Sequence, residues 1–124
     1  MLNDKRENLI ADKSYRFALM IIELYKFLTE RKKEFVLSKQ LLRCGTSIGA
    51  NIQEAQAAIS KKDFISKISI ASKEARETLY WLHLLKDSRY IDPEKEKIKY
   101  LFEEIESIIN ITTKIVKSGQ SNEK

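Results

Sequence analysis

The chain is poor in the residues that interrupt helices and form tight turns. Its 124 residues include three glycines and one proline. The turns of a β fold depend on such residues, so their scarcity favours helices. Hydrophobic residues make up 43% of the chain and charged residues 33%, an ordinary balance for a globular protein. The composition therefore indicates one helical domain with a single core.

Cysteine, a leader segment and long apolar runs are scarce or absent as well. The single cysteine, Cys44, has no partner for an intrachain disulfide, as is typical of proteins in reducing compartments. The opening MLNDKREN carries mixed charges where a signal peptide needs an apolar run. No stretch approaches the roughly 20 apolar residues of a membrane span. We therefore expect a cytoplasmic protein that does not enter a membrane.

The residue combinations that carry catalysis or hold metal ions are also missing. An HExxH zinc helix and a pair of ExxH di-iron helices each need more than one histidine, and the chain has only His83. Gly45 and Gly49 do not fit the GxxxxGK[ST] pattern of a phosphate-binding loop. Cys44 has no evident His–Asp relay to activate it as a nucleophile. We expect a protein that is not an enzyme and that has no cofactor or metal.

Four amphipathic segments with short links account for nearly the whole chain. In each segment apolar residues recur every three or four positions, which is the period of an α-helix. The predicted helices cover about residues 8–31, 38–58, 61–88 and 93–118. This pattern predicts an all-α, antiparallel up-down four-helix bundle. We assign residues 1–118 to this single domain and residues 119–124 to a polar C-terminal tail.

Local signals mark several helix ends. Ser38 is the predicted N-cap of the second helix. Ser60 and Asp63 resemble a capping box at the start of the third helix, with Asp in place of the usual Glu. Asp92 followed by Pro93 suits the start of the fourth helix, and Gly119 suits its end.

Gly45 and Gly49 give the second helix a strip of small residues. Such a strip allows a neighbouring helix to approach closely; the GxxxG spacing indicates a membrane dimer only inside an apolar segment. An alternative interpretation makes residues 40–48 a helix-turn-helix that turns at Gly45. The helical pattern continues through Gly45, so we favour close packing within one bundle.

The first and third helices carry more apolar surface than one core needs. We assign Ala18, Ile22 and Tyr25 to the core face of the first helix. Burying one further large side chain is worth roughly 1.5–3 kcal/mol, enough for a few to favour assembly. We predict a homo-oligomer whose interface includes Phe17, Met20, Leu24, Ile70, Trp81 and Leu84. The alternative is that irregular packing places these residues in the core of one chain.

The middle of the chain is basic. Residues 61–89 carry seven basic and four acidic side chains, whereas residues 90–124 carry six and seven. Basic side chains and hydroxyls contact phosphates, and a tyrosine can stack on a base. The predicted nucleic-acid-binding residues are Lys39, Arg43, Lys62, Lys73, Arg76 and Tyr80. The alternative is a solvated face that binds nothing.

Two blocks of sequence resemble a known bacterial family. The first is Gln40–Arg43 followed by the run SIGANIQEA at residues 47–55, and the second is KDFISKISIAS at residues 62–72, followed by Glu77. They are similar to four-helix-bundle proteins encoded in intervening sequences of large-subunit ribosomal RNA genes. The likeness covers roughly residues 8–117. The chain departs from the family pattern at Ala55, where many relatives have Gly, and at Glu74, where a small Ser is usual.

The resemblance implies an antiparallel four-helix bundle that assembles as a homopentamer. The family is similar to the accessory protein of diversity-generating retroelements, a basic pentameric barrel that binds a reverse transcriptase and nucleic acid. The resemblance therefore implies a reverse transcriptase as a partner of this chain only where one is encoded nearby. Ser47, Asn51, Glu54 and Glu77 carry the family motif. The first three share one helix face, which we interpret as a buried or interfacial hydrogen-bond network that fixes helix register; a ligand site is the alternative.

Two functions therefore stay open. One is a binding module that presents a basic surface to RNA or DNA. The other is a scaffold whose oligomer presents copies of one surface to a protein partner. The basic middle of the chain favours the first, and the lack of an arginine-rich or aromatic-rich cluster favours the second.

Overall fold

The structure is a computed structural model that describes residues 5–122, with side chains described for residues 8–120. It consists of four helices: α1 (Lys5–Glu30), α2 (Leu37–Gln56), α3 (Lys61–Asp87) and α4 (Glu96–Asn122). No β-strand occurs in this part of the chain. Helices α1 and α3 each pack against α2 and α4 and lie diagonally opposite one another. Because short links join successive helices, neighbours run antiparallel, which confirms the predicted up-down bundle.

The core is formed by one stripe of aliphatic side chains from each helix. These side chains recur at three- and four-residue spacing and are almost completely buried. The innermost are Ile10, Phe17, Ile21 and Leu28 of α1, Leu41, Ile48 and Ile52 of α2, Ile68, Leu82 and Leu85 of α3, and Ile105 and Ile108 of α4. Each contributes roughly 1.5–3 kcal/mol by leaving water, so together they set the rotation of every helix about its axis.

The rotation of α1 differs from the predicted one. Phe17 is 0% exposed and Leu24 is 6% exposed within the single chain, so their assignment to an oligomer interface is wrong. The core face of α1 is centred on these larger side chains, which fill the space between α2 and α4. Ala18, Ile22 and Tyr25 lie at the edge of that face and are only half-buried.

Helix α3 begins as the sequence predicts. The Ser60 hydroxyl oxygen accepts a hydrogen bond from the Asp63 backbone N–H at 3.0 Å. The Asp63 carboxylate reaches back to the Ile59 N–H at 3.4 Å, which completes a variant of the capping box. The helix then continues to Asp87.

The start of α2 differs from the prediction. Ser38 is not the N-cap, because the helix already begins at Leu37 and Ser38 is buried in its first turn. The unpaired N–H groups of that turn instead bond to the carboxylate of Glu34, which precedes the helix.

Both predicted ends of α4 are displaced. Asp92 to Lys95 form a turn in which the Asp92 carboxylate accepts the Glu94 N–H at 2.9 Å, and the helix begins only at Glu96. At the other end, Gly119 does not stop the helix, which continues to Asn122. Gly119 is buried, and a Cβ atom there would lie 2.8 Å from Ile65 Cγ1. Its small size therefore permits the close approach of α3 and α4.

The two glycines of α2 lie where α1 comes closest. A Cβ atom at Gly45 would lie 3.0 Å from Cγ1 and Cγ2 of Ile21, and one at Gly49 would lie 3.5 Å from Oγ of Ser14. Helix α2 is continuous through both glycines. Close packing within the bundle is thus confirmed, and the helix-turn-helix alternative is wrong.

Candidate nucleic-acid interface

One face of α3 gathers most of the predicted phosphate-binding side chains. Lys62, Lys73, Arg76 and Tyr80 are all exposed and lie along the side of α3 that points away from the core. From residue 62 to residue 80 the helix rises about 27 Å. We call these four residues the basic face of α3. They fall on one line because their spacing follows the helical period, with a gap of about 16 Å between Lys62 and Lys73.

Arg76 and Lys73 differ in the contacts that they make within the described part of the chain. The Arg76 guanidinium donates a hydrogen bond from Nη2 to the Thr113 hydroxyl of α4 at 2.9 Å, which ties it to the groove between the two helices. Lys73 has no carboxylate within ion-pair distance in the described part of the chain. Its charge is therefore free to meet an anion from solvent.

The other two predicted residues lie on α2 and do not join this face. Lys39 is exposed on the outer surface of α2. Arg43 turns towards α3, where its Nη1 lies 3.3 Å from the Glu74 carboxylate and its Nη2 makes a short contact with the Glu77 carboxylate. The structure thus separates Arg43 from the free basic side chains and places it in an ion-pair cluster.

This cluster is a feature that the sequence analysis missed. Arg43 Nε also donates to Gln40 Oε1 at 3.2 Å, and Glu77 also accepts the Trp81 indole N–H at 2.9 Å. We call Gln40, Arg43, Glu74, Glu77 and Trp81 the Arg43 cluster. Its only signal in the sequence is a pair of acids three residues apart on one helix and a single arginine on its neighbour.

Three of the four family-motif residues, Ser47, Asn51 and Glu54, lie along α2, but their side chains do not form one connected network among the described residues. The Ser47 hydroxyl donates to the Arg43 carbonyl oxygen at 2.7 Å, and Asn51 Nδ2 donates to the Ser47 carbonyl oxygen at 2.9 Å. Both bonds stay within α2. Ion pairs join α2 to α3 at two places: in the Arg43 cluster, and in a separate pair of 3.0 Å between Glu54 and Lys67. The hydrogen bond from this pair, together with the charge of Glu54, raises the pKa of Lys67.

Cys44 is buried between the helices and lacks the surroundings of a reactive thiol. Burial raises the pKa of its thiol, whereas a nucleophilic cysteine needs a lowered one. The described residues contain no group of three side chains suited to hold a metal ion. None of the described helices is both long and apolar enough to cross a bilayer.

Apolar side chains are left on two opposite sides of the bundle. Ile70 is 39% exposed on the side where α2 meets α3, and Trp81 and Leu84 are half-buried on that side, about 16 and 21 Å further along α3. On the side where α1 meets α4, an open groove of about 1090 Å³ is lined by Met20, Phe27 and Tyr100, among others. Four of the six predicted interface residues are therefore at least partly accessible, and Phe27 and Tyr100 are additions that the sequence analysis did not select.

The fold and these surfaces define a small all-α bundle with two apolar sides and one basic face. The chain belongs to the 23S rRNA-intervening sequence protein family, whose model matches residues 6–114. A solved structure from Bacteroides thetaiotaomicron, of a protein with unknown function from the S23 ribosomal protein family, is similar to it. The two share 49% identity with a TM-score of 0.85, over 90% of this chain and 98% of that chain. No curated protein matches the chain.

Proposed function

We propose that the protein is a non-enzymatic, homo-oligomeric bundle that binds RNA or DNA with the basic face of α3. The observation that carries this proposal is the alignment of Lys62, Lys73, Arg76 and Tyr80 along one exposed side of a single helix. The line is about 27 Å long, which corresponds to roughly eight base-pair steps along the axis of a duplex at about 3.4 Å each. Three cations and one exposed aromatic ring on such a line suit contacts to phosphates and one stacked base.

The overall charge supports an anionic partner. Each chain carries a net charge of +5, and assembly into an oligomer would add the charges of the copies. A repeated positive face attracts a polyanion over distances of about one Debye length, near 8 Å at physiological salt.

The two apolar sides support a ring-like assembly. A two-fold dimer pairs the same surface on both copies, whereas the apolar side chains here lie on opposite sides of the bundle. Such surfaces favour head-to-tail contacts, which close into a ring when the rotation between copies allows it. The homopentamer implied by the family resemblance is one ring of this kind.

Binding to nucleic acid can be tested directly with the whole protein after nuclease treatment. Fluorescence anisotropy should be measured with labelled single-stranded RNA, duplex RNA and duplex DNA over a series of salt concentrations. We expect binding at low salt that weakens steeply as salt rises, because phosphate contacts release counterions. Absence of binding to all three at low salt would contradict the proposal.

A protein partner is the second candidate function. It is favoured by Phe35 and Val36, which are 59% and 72% exposed on the link between α1 and α2 and lie outside the basic face. Exposed neighbouring apolar side chains are typical of protein contacts. A reverse transcriptase is the partner to test first where one is encoded beside this gene. A stable complex with it that survives high salt would favour this function.

A further inference from the structure

We propose that Glu74 and Glu77 hold Arg43 in an autoinhibitory contact, so that Arg43 joins the basic face of α3 only when these carboxylates release it. This inference rests on the proposed function, because it concerns how strongly the basic face binds phosphate. It assigns Arg43 a different role from Lys62, Lys73 and Arg76, with which the sequence analysis grouped it.

Each of the three guanidinium nitrogens of Arg43 already donates a hydrogen bond within the chain. A guanidinium has five N–H donors in a fixed fork. In Arg43 one donor from Nε goes to Gln40, one from Nη1 to Glu74 and one from Nη2 to Glu77. Both terminal nitrogens, which bind a phosphate side by side, are therefore already paired with carboxylates.

The carboxylates of Glu74 and Glu77 are themselves held in place by their surroundings on α3. Glu77 accepts the indole N–H of Trp81 at 2.9 Å, one turn further along α3. The Glu74 side chain is 20% exposed, so its carboxylate has little room to turn away into solvent. Arg43 itself is 50% exposed. The cation is thus at the surface. Glu74 is held by the packing of α2 against α3, whereas Glu77, whose side chain is 36% exposed, is held by the hydrogen bond that it accepts from Trp81.

The cluster lies at the edge of the basic face, between that face and the apolar side chains of Ile70 and Trp81, so the inference requires a contact between copies that leaves Arg43 open to solvent. Glu77 follows Lys73 by four residues and precedes Tyr80 by three, so it neighbours both on the surface of α3. The cluster carries one positive and two negative charges, so a phosphate that approaches Lys73 meets net repulsion from this side. Neutralising the two carboxylates removes that repulsion and frees a guanidinium that already reaches to the edge of the face.

A double-mutant cycle in binding tests this inference. Four proteins are compared by anisotropy with duplex RNA or DNA across a salt series: wild type, Arg43→Gln, Glu74→Gln/Glu77→Gln, and the triple variant. We expect the glutamine pair to bind about 3- to 10-fold more tightly at low salt, with a salt slope steeper by about one phosphate contact. Arg43→Gln removes one positive charge in either background and should weaken wild-type binding modestly, but it should weaken binding several-fold more in the glutamine background, where it removes most of the gain.

Non-additivity separates unmasking of Arg43 from a simple change in net charge. If Arg43→Gln weakens binding by the same factor in both backgrounds, the inference is wrong. The control Asp12→Asn/Glu30→Gln removes two negative charges from the exposed surface of α1, diagonally across the bundle, and should tighten binding by less than the cluster variant. An equal gain in the control would likewise overturn the inference.

Thermal unfolding establishes that each variant is folded before binding is compared. If the double variant is unstable, Glu77→Gln alone is used, since Gln retains an acceptor for Trp81 and leaves the contact to Glu74. If wild type binds and the cycle is additive, only this inference fails. If no variant binds at low salt, the proposed function fails and the inference fails with it.

Discussion

Glu34 and Ser38 cap the start of α2 reciprocally. The Glu34 carboxylate accepts the Ser38 backbone N–H at 2.7 Å, and the Ser38 hydroxyl donates to the Glu34 carbonyl oxygen at 2.7 Å. The same carboxylate accepts the N–H groups of Leu37 at 2.9 Å and Val36 at 3.2 Å. One side chain thus satisfies three backbone donors that the first turn of a helix would otherwise leave unpaired.

Replacing Glu34 by Gln should destabilise the protein by about 1–2 kcal/mol at neutral pH, as expected for a charged helix cap. Burial by itself raises the pKa of Glu34, but the hydrogen bonds from Leu37, Ser38 and Val36 outweigh it, so the net pKa lies below its ordinary value. The stability from the ionised carboxylate is therefore fully present above the unfolded pKa of about 4.3 and is lost as pH falls through the folded pKa.

Urea unfolding of wild type and Glu34→Gln across acidic and neutral pH measures this effect. The gap between the two proteins should be widest near neutral pH and should shrink below about pH 4. Glu30→Gln, which changes an exposed carboxylate four residues earlier, serves as the control and should have little effect. A gap that stays constant through the acidic range would show that the Glu34 charge does not hold the cap.

The two glycines of α2 should respond differently to alanine. Alanine is favoured over glycine in a helix by about 1 kcal/mol. At Gly49 the added methyl group meets Ser14 at an ordinary distance, so Gly49→Ala should stabilise the protein by about 0.5–1 kcal/mol. At Gly45 it would lie 3.0 Å from two carbons of the buried, branched Ile21, so Gly45→Ala should be at least about 1 kcal/mol less stable than Gly49→Ala. Urea unfolding of the two variants compares them; equal stabilities would contradict the close approach of α1 at Gly45.

The homo-oligomer can be tested by its mass in solution. Light scattering behind gel filtration should give a multiple of the 14.5 kDa chain mass, fivefold for a pentamer. Ile70→Glu places a charge on the exposed apolar side between α2 and α3 and should shift the mass towards that of one chain. Tyr15→Glu, at a 66% exposed position outside both apolar sides, is the control and should leave the mass unchanged. A wild-type protein with the mass of one chain at micromolar concentration would contradict the oligomer.

The sequence predicts the bundle well because each helix carries a strong apolar period, although of the local end signals only Ser60 and Asp63 at the start of α3 are confirmed. It predicts the rotation of α1 poorly for a physical reason. Apolar side chains occupy a wide arc of that helix, so Phe17 and Ala18 fit the periodicity almost equally well. Only packing against α2 and α4 places Phe17 in the core and leaves Ala18 at its edge.

The sequence likewise predicts features within one helix better than contacts between helices. The alignment of Lys62, Lys73, Arg76 and Tyr80 follows from their spacing within one helix, so the sequence predicts it. The pairing of Arg43 with Glu74 and Glu77 joins residues 31 and 34 positions apart. That pairing depends on the register of α2 against α3, which intrahelical spacing does not determine.

Phosphate binding by the basic face of α3 is tested most directly by the salt dependence of binding for charge reversals on and off that face. Lys73→Glu and Arg76→Glu alter the face, whereas Lys26→Glu makes the same change on the exposed surface of α1, diagonally opposite. We predict that each α3 variant weakens binding to RNA or duplex DNA by about tenfold or more at low salt. Each should also lower the slope of log affinity against log salt by at least about one. Lys26→Glu should bind almost as tightly as wild type. Equal losses in all three variants would show that binding follows net charge alone and would contradict a phosphate-binding face on α3.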